Sequence, residues 1–271
     1  MTIGEWLVNT TADLEFASKT PRLDALLLLE LVTARSRADL LASSKETLSV
    51  MRQGKLKKIV ERRLNGEPMA YIAGQKEFYG RDFMVNHSVL VPRPESEAFL
   101  ELLVALRKTE RVHTLIDIGT GSGILAITAK LQHPDLYVFA SDTSKDALQV
   151  AAQNALRHKA AVTFKEQNLL AGDREGYDVI FANLPYVPTR QEPDRSIAQE
   201  PPEALFSGPD GLEHYRRLFS QLKPKHIRFV MTESLTEQHA AVEQLAADAG
   251  YQKTSTEGLV QWFTKIVPDR F

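Results

Sequence analysis

The chain of 271 residues is long enough for one large domain, or for an α/β domain with a smaller partner. Its 43% apolar and 25% charged residues are near the average of soluble globular proteins, which excludes disordered and fibrous classes. The net charge of -2 argues against a surface that serves throughout as a nucleic-acid clamp. Cysteine is absent and the seven His lack HExxH spacing, so we expect no disulfide, thiol nucleophile or metal site.

The N-terminal stretch MTIGEWLVNT lacks the basic start and apolar segment of a signal peptide. The richest apolar run, residues 26–29, is far shorter than a membrane span and lies between Asp24 and Glu30. These features predict a protein that does not cross a membrane. We expect a cytoplasmic location.

The first 66 residues carry helical patterns without a competing strand pattern. Thr20 is the predicted N-cap of an apolar helix, with Pro21 at its first position. Further helices are predicted over residues 36–42 and 45–64, and the second of these is strongly basic. The basic helix could meet an acidic partner, although a solvated helix face is the more common explanation of such a charge run.

Shorter extended pieces follow between residues 79 and 91, around the turn-like cluster Asn86-His87-Ser88. We interpret them as a β-hairpin. The motif VPRPESE at residues 91–97 comes next, and its two prolines stiffen the approach to a helix over residues 98–107. The predicted organisation is a helical domain at 1–78, a hairpin linker at 79–96 and an α/β domain at 97–271.

Beyond residue 112 predicted strands and helices alternate along the chain. This alternation is typical of a doubly wound, Rossmann-like parallel sheet. Strands are predicted over residues 115–118, 136–140, 162–165, 178–182, 226–232 and 259–266. Helices are predicted over residues 124–131, 145–157, 215–222 and 237–249.

A glycine-rich loop follows the first of these strands, and its glycines let the backbone turn sharply and approach a ligand closely. The loop reads Asp117-Ile118-Gly119-Thr120-Gly121-Ser122-Gly123, with GxGxG spacing instead of the dinucleotide GxGxxG. Asp142 ends the second strand, where α/β nucleotide sites place a carboxylate that accepts ribose hydroxyls. The pattern favours S-adenosylmethionine, which has a ribose and a cationic sulfonium but no phosphate. Asp117 could instead stabilise the loop, and Asp142 could be a helix N-cap.

The tetrapeptide Asn183-Leu184-Pro185-Tyr186 follows the strand predicted over 178–182. An amide or exocyclic amine is planar and weakly nucleophilic, so it must be oriented and its two N–H groups need acceptors. The Asn183 side-chain oxygen and the Leu184 carbonyl are candidate acceptors, while Pro185 would fix the backbone and the Tyr186 ring would pack on the planar group. The tetrapeptide alone also fits an ordinary turn. After the glycine loop and Asp142, it predicts methyl transfer to a planar nitrogen.

The chain resembles the HemK/PrmC family of release factor glutamine methyltransferases through motifs spread over nearly its whole length. These are PRLDA at 21–25, EP at 67–68, YIAG at 71–74, EFYG at 77–80, VPRPESE at 91–97, the glycine loop and NLPY at 183–186. The later Glu200-Pro201, Ala204-Leu205, Gly208, Asp210-Gly211-Leu212 and Tyr215-Arg216 are similar to the family segment that closes the site, and Glu233 with Gln238 fits another family spacing.

The resemblance implies a class I S-adenosylmethionine methyltransferase domain, a small N-terminal helical domain that docks the substrate, and a β-hairpin linker. It implies methylation of the side-chain nitrogen N5 of the glutamine in the Gly-Gly-Gln motif of class I peptide chain release factors, with S-adenosylhomocysteine as the product. It also implies a monomer that does not require nucleic acid. Implied catalytic residues are Asn183, Leu184, Pro185 and Tyr186. Implied cofactor contacts are Asp117, Gly119, Thr120, Gly121, Ser122, Gly123, Asp142, Thr143, Asn168, Leu169 and Asn183.

Two positions depart from the family pattern. Leu184 replaces the usual proline, and because the implied role belongs to its carbonyl we expect activity to survive. Asn168-Leu169 stand where the family usually has Asp and an apolar or aromatic residue beside the adenine.

Three other functions fit part of the pattern. An adenine N6-methyltransferase would use the same corner chemistry, but the overall acidity of the chain argues against a surface that tracks a nucleic-acid strand. Glutamine methylation of a ribosomal protein is a closer alternative. A non-catalytic cofactor-binding or scaffold protein is the third, and the presence of Asn183, Pro185 and Tyr186 together argues against it.

Overall fold

The structure, a computed structural model, describes residues 1–266. The chain forms two compact units: Met1–Gly74 with Pro193–Gln199, and Gln75–Glu192 with the described residues from Glu200 onward. The domain boundaries at residues 78 and 96 remain a prediction, and residues 267–271 of the predicted α/β domain lie outside the described residues.

The first unit is helical, as its sequence predicts. Its helices are α1 (Ile3–Leu14), α2 (Pro21–Thr33), α3 (Arg37–Ala42), α4 (Val50–Leu64) and α5 (Met69–Ala73). Leucines from α1 to α4 form a fully buried apolar core. The basic helix α4 begins at Val50 and not at residue 45, because the Ser49 side chain accepts a hydrogen bond from the Arg52 N–H and caps the helix there.

A buried ion pair joins α2 to α4. Arg63 Nε donates to Asp24 Oδ2 at 2.7 Å, and the two residues are only 7% and 4% exposed. Arg63 also donates to the Glu67 carbonyl at 3.2 Å. Charges this deeply buried are tolerated only when they are paired and hydrogen-bonded, so each of these two residues requires the other.

The second unit begins with a hairpin of β1 (Gln75–Phe78) and β2 (Arg81–Met84), earlier in the chain than the predicted 79–91. Its turn is Tyr79-Gly80, with φ of 51° and 73°, as in the two-residue turns that match strand twist. The Asn86 side chain accepts from the Ser88 N–H at 2.9 Å and makes a separate turn. Because tyrosine rarely adopts positive φ, the sequence pattern pointed to Asn86 instead.

The remaining strands form one sheet in the order β5-β4-β3-β6-β7-β9-β8. They are β3 (Thr114–Ile118), β4 (Tyr137–Asp142), β5 (Val162–Glu166), β6 (Val179–Ala182), β7 (Phe229–Glu233), β8 (Tyr251–Glu257) and β9 (Val260–Lys265). The strands β3 to β7 are parallel, and β9 is antiparallel to both β7 and β8. The edge strand β8 was not predicted, because after Tyr251 it is polar and mostly exposed.

Helices cover both faces of this sheet, which confirms the doubly wound architecture. They are α6 (Ala98–Thr109), α7 (Ile124–Gln132), α8 (Lys145–His158), α9 (Pro202–Leu205), α10 (Glu213–Leu222) and α11 (His239–Asp248). The helices α6 and α7 pack on one face, and α10 and α11 pack on the other. None of the helices within residues 1–266 has the length and apolar composition of a membrane span.

The direction of winding changes at β3, which has β4 on one side and β6 on the other. Ile118, the last residue of β3, is the parallel partner of Ala182, the last residue of β6. The loops that begin at Gly119 and Asn183 therefore start side by side. Open α/β sheets bind ligands at this kind of switch point.

The Asp24–Arg63 pair yields a stability prediction for the helical unit. Replacing Arg63 by Leu leaves the Asp24 carboxylate buried without its partner, and we expect a loss of about 3–5 kcal/mol. The matched control is Lys57→Leu, which removes an exposed cation from the same helix; we expect a loss below about 1 kcal/mol there. Urea denaturation measures the free energy of unfolding of both variants, and hydrogen-exchange mass spectrometry of α2 and α4 locates the loss in the helical unit. Equal losses in the two variants would contradict the prediction.

Candidate active site

A cavity of about 360 Å³ lies at the carboxyl ends of the central strands. Its size falls within the range of small-molecule sites, which is about 300–1,000 Å³. Twelve of the residues predicted for the site line it: Asp117, Gly119, Thr120, Gly121, Ser122, Asp142, Thr143, Asn168, Leu169, Asn183, Leu184 and Pro185. Gly123 and Tyr186 are predicted site residues outside this lining. Within residues 1–266, no group of three or more His, Asp or Glu side chains is arranged to hold a metal ion.

The glycine loop has a backbone that other residues rarely adopt: φ is 71° at Gly119, 53° at Gly121 and 83° at Gly123. A Cβ at Gly123 would lie 2.9 Å from Ile127 Cδ1 and 3.1 Å from Ala151 Cβ, so this glycine allows the loop to pack against α7 and α8. A Cβ at Gly121 would meet no protein atom within 4 Å and would project into open space. Gly121 is therefore required by its φ and keeps space open beside the loop.

Hydrogen bonds to β3 and β4 hold this loop in place. The N–H groups of Gly119 and Thr120 both donate to the Ser141 carbonyl, at 2.8 and 2.9 Å. The Thr120 hydroxyl donates to Asp117 Oδ2 at 2.6 Å. Asp117 is 1% exposed, and its burial raises its pKa to about 7 even though the bond from Thr120 acts in the opposite direction. Asp117 thus stabilises the loop and also lines the cavity.

Asp142 links the glycine loop to the start of α8. Its Oδ2 accepts from the Gly121 N–H at 3.0 Å, and its Oδ1 accepts from the Ser144 N–H at 2.9 Å. The N-cap of α8 is Ser144, whose side chain accepts from the Ala147 N–H, so the N-cap alternative for Asp142 was wrong. Each carboxylate oxygen has a second lone pair, which leaves Asp142 able to accept further hydrogen bonds.

The loop after β5 contributes Asn168 and Leu169. Leu169 is buried and has a φ of 53°, uncommon for a leucine. Asn168 Oδ1 accepts from Arg217 Nη2 at 2.8 Å, and Arg217 also lines the cavity with His214. Sequence reasoning missed Arg217 and His214, because they lie on α10, whose pattern reads as an ordinary amphipathic helix.

The corner after β6 is connected to a chain of buried polar groups. Asn183 Nδ2 donates to Ser96 Oγ at 2.8 Å, and Ser96 Oγ donates to Glu233 Oε2 at 2.7 Å. The Tyr186 hydroxyl donates to the other Glu233 oxygen at 3.1 Å. Burial raises the pKa of Glu233 above its ordinary value, against the effect of the bonds from Ser96 and Tyr186. Ser96 and Glu233 lie in the motifs that carry the family resemblance, but the sequence predicted no role in the site for either.

Tyr186 is anchored at both its hydroxyl and its backbone. Burial and the nearby Glu233 raise the pKa of its phenol, so the hydroxyl stays a donor. Its carbonyl accepts from Gln238 Nε2 at 2.9 Å, and Gly211 packs so closely that a Cβ there would collide with this carbonyl. Packing of the ring on a planar substrate group remains a prediction.

Leu184 is buried beside the glycine loop. It is 3% exposed, and a Cβ at Gly119 would come within 3.1 Å of its Cδ2. The leucine thus fills apolar space against the loop, which a smaller residue would leave open. That activity survives with leucine at this position remains a prediction.

The segment after Glu200 contributes to the wall of the cavity. The buried Glu200 carboxylate accepts from the Val91 N–H at 2.9 Å and from Arg93 Nη2 at 2.6 Å. Val187 exchanges backbone hydrogen bonds with this segment, donating to the Leu205 carbonyl at 2.9 Å and accepting from the Ser207 N–H at 3.0 Å. Pro201, Glu203 and Ala204 line the cavity as a result.

Comparison with solved structures places the fold among methyltransferases. A methyltransferase from Pyrococcus furiosus superimposes with a TM-score of 0.51 and 19% identity, over 76% of this chain and 98% of that one. The catalytic domain of hMettl16, solved in complex with the MAT2A 3'UTR hairpin 6, gives a TM-score of 0.54 and 18% identity, over 78% of this chain and 82% of that one. At this identity the likeness establishes the Rossmann-like methyltransferase fold alone.

Comparison of sequences is more specific. Residues 5–74 match the PrmC N-terminal domain, and residues 96–205 match the methyltransferase small domain. The release factor glutamine methyltransferase of Coxiella burnetii is 40% identical over 230 residues, which cover 82% of this chain and 81% of that protein. The protein of the same name from Neisseria gonorrhoeae is 37% identical over 263 residues, which cover 93% of this chain and 91% of that protein. This chain therefore belongs to the release factor glutamine methyltransferase family.

Proposed function

We propose that this enzyme transfers a methyl group from S-adenosyl-L-methionine to the side-chain nitrogen N5 of the glutamine in the Gly-Gly-Gln motif of class I peptide chain release factors. The observation that carries the proposal is the Asn183 amide at the cavity wall, next to the glycine loop, with its Nδ2 already bonded to Ser96. Adenine N6 methylation is not favoured, because the relatives from Coxiella burnetii and Neisseria gonorrhoeae, which align with 82% and 93% of the chain, are named release factor glutamine methyltransferase. With this substrate, the enzyme would act in protein methylation that belongs to translation termination.

The cavity residues fit the proposed cofactor. The positive φ at Gly119 and Gly121 and the open space beside Gly121 give room for close approach to the backbone. Asp142 would hold the ribose hydroxyls, and the Asp117 carboxylate suits the cationic part of the molecule. Thr120, Ser122 and Thr143 would complete the contacts along the loop, with Asn168 and Leu169 beside the adenine. When bound, S-adenosylmethionine supplies an electrophilic methyl group on a positively charged sulfur.

The corner residues orient the glutamine amide. Asn183 Oδ1 accepts one of its N–H groups and the Leu184 carbonyl accepts the other, while Pro185 restricts the backbone between them and Tyr186. Both N–H groups are then fixed, and the remaining face of the nitrogen is directed at the methyl group. No strong base is needed, because a nitrogen that has gained a methyl group becomes cationic and releases its proton.

The release factor is the proposed partner, and the helical unit is proposed to contribute to its docking. The exposed cations of α4, including Lys55, Lys57 and Lys58, are available to acidic side chains of a protein partner. We propose that the enzyme acts as a monomer in the cytoplasm, does not require nucleic acid, and releases S-adenosylhomocysteine.

The role of Asn183 predicts a separation of binding from catalysis. Asn183→Ala removes an acceptor used to orient the amide, so we expect methyl transfer to a release factor to fall at least about 100-fold. Cofactor binding should change little. Labelled methyl incorporation and calorimetric binding of S-adenosylhomocysteine measure the two effects. Gln153→Ala removes an exposed amide from α8 and is the matched control, expected to leave both quantities unchanged. Unchanged turnover in Asn183→Ala would refute the proposal.

The pKa of Asp117, raised to about 7, predicts pH-dependent binding. A cationic ligand favours the ionised carboxylate, so binding releases the proton that Asp117 holds below this pKa. The Kd of S-adenosylmethionine, measured without the methyl acceptor, should therefore rise as pH falls below about 7, by up to about tenfold per pH unit. The same shift makes the native state lose stability as pH rises from 3.8 to about 7, because the native carboxyl binds its proton more tightly than the unfolded one.

Calorimetric titrations between about pH 5.5 and 8.5 test this linkage. The control is Asp117→Asn, which keeps the shape of the side chain but cannot titrate, and its Kd should vary less steeply with pH. His214 also lines the cavity, and burial lowers its pKa, so the difference between wild type and Asp117→Asn is the quantity that isolates Asp117. Identical pH profiles in the two proteins would contradict the prediction.

A further inference from the structure

An asparagine amide can bind its surroundings in two orientations, which differ by exchange of its oxygen and its NH2 group. Only one orientation serves the proposed reaction. With Oδ1 facing the substrate, Asn183 accepts an N–H of the glutamine amide. With Nδ2 facing it, two donors would oppose each other and the substrate amide would lose its acceptor. The protein must therefore select between two nearly isosteric states.

The polar groups behind Asn183 make this selection. The Ser96 hydroxyl has a single hydrogen, which it donates to Glu233 Oε2 at 2.7 Å. Ser96 Oγ can then only accept, and the group that donates to it at 2.8 Å must be Asn183 Nδ2. Tyr186 donates to the second carboxylate oxygen at 3.1 Å. The chain of hydrogen bonds thus runs from Asn183 through Ser96 to the Glu233 carboxyl group, which also accepts from Tyr186.

The three residues come from separate parts of the second unit and are held rigidly. Ser96 lies in the short 3-10 helix Pro94–Glu97, and Glu233 ends β7, which is paired with β6 just before Asn183. The buried Tyr215 hydroxyl lies within hydrogen-bond distance of the carbonyls of both Ala182 and Glu233 and shares its one hydrogen between them, which ties the ends of these two strands together. Ser96 and Glu233 are each only 1% exposed, so water has little access to compete for their bonds.

We propose that Ser96 and Glu233 are positioning residues that lock the Asn183 amide with its oxygen toward the substrate. The inference rests on the proposed function, since it assigns the orientation that a glutamine N–H requires. Neither residue lies within the corner itself. Ser96 contacts Asn183 directly, and Glu233 contacts it through Ser96 while also accepting from Tyr186.

Ser96→Ala is the primary test, because it removes the acceptor for Asn183 Nδ2 and alters little volume. We expect kcat for release factor methylation to fall between about 10-fold and 100-fold, with the Kd of S-adenosylhomocysteine and the melting temperature nearly unchanged. Ser96→Thr keeps the hydroxyl and should recover most of the activity. Glu233→Gln preserves shape but adds a donor toward Ser96, which permits both Asn183 orientations, and should lower kcat to a similar extent.

Two further measurements distinguish positioning from a structural role. In the Asn183→Ala background, adding Ser96→Ala should cause no further loss of labelled methyl incorporation, because the group that Ser96 orients is already absent. In the enzyme without substrate, NMR should show slow hydrogen exchange at the Asn183 side-chain NH2 that becomes faster in Ser96→Ala. This second measurement does not depend on which substrate is methylated.

The outcomes separate the two proposals. Wild-type kcat in Ser96→Ala, an equal further loss in the double variant, or unchanged exchange at the Asn183 NH2 would each overturn the positioning role. Failure of the wild-type enzyme to label a release factor would instead refute the proposed function, and the exchange measurement would still decide whether Ser96 holds Asn183.

Discussion

Everything in the site depends on the pairing of β3 with β6 at the point where the sheet changes its direction of winding. Parallel strands end at the same edge of a sheet, and the register places Ile118 beside Ala182. The glycine loop and the Asn183 corner, 64 residues apart in sequence (183 minus 119), therefore begin next to each other. Because of this backbone pairing, the glycine loop and the Asn183 corner line the same cavity.

The buried Glu233 carboxyl group is a costly feature of this arrangement. Removing a charge from water costs several kcal/mol unless donors replace the lost hydration, and here Ser96 and Tyr186 are those donors. An apolar residue at the end of β7 could be buried without any hydrogen-bond donor. A carboxyl group in this place instead accepts from both Ser96 and Tyr186, which an apolar residue cannot do, and the proposed orientation of Asn183 depends on the bond between Ser96 and Glu233.

Local patterns in the sequence predicted the parts of the fold that local chemistry determines. The alternation of strands and helices, the glycine loop and the NLPY corner were all evident, because periodicity and backbone constraints leave marks over a few residues. The Ser96–Glu233 bond joins residues 137 positions apart, and the Arg217–Asn168 bond joins residues 49 apart, so no local pattern shows either. The Tyr79 turn and the polar strand β8 were missed because their residues ordinarily favour other conformations.

The identity of the methylated atom tests the account most directly. The purified enzyme is given labelled S-adenosylmethionine together with a class I release factor, ribosomal proteins and duplex DNA, and the modified residue is located by mass spectrometry. The account predicts a single methyl group on N5 of the Gly-Gly-Gln glutamine. Label on adenine, or on a ribosomal protein while the release factor stays unmodified, would contradict it.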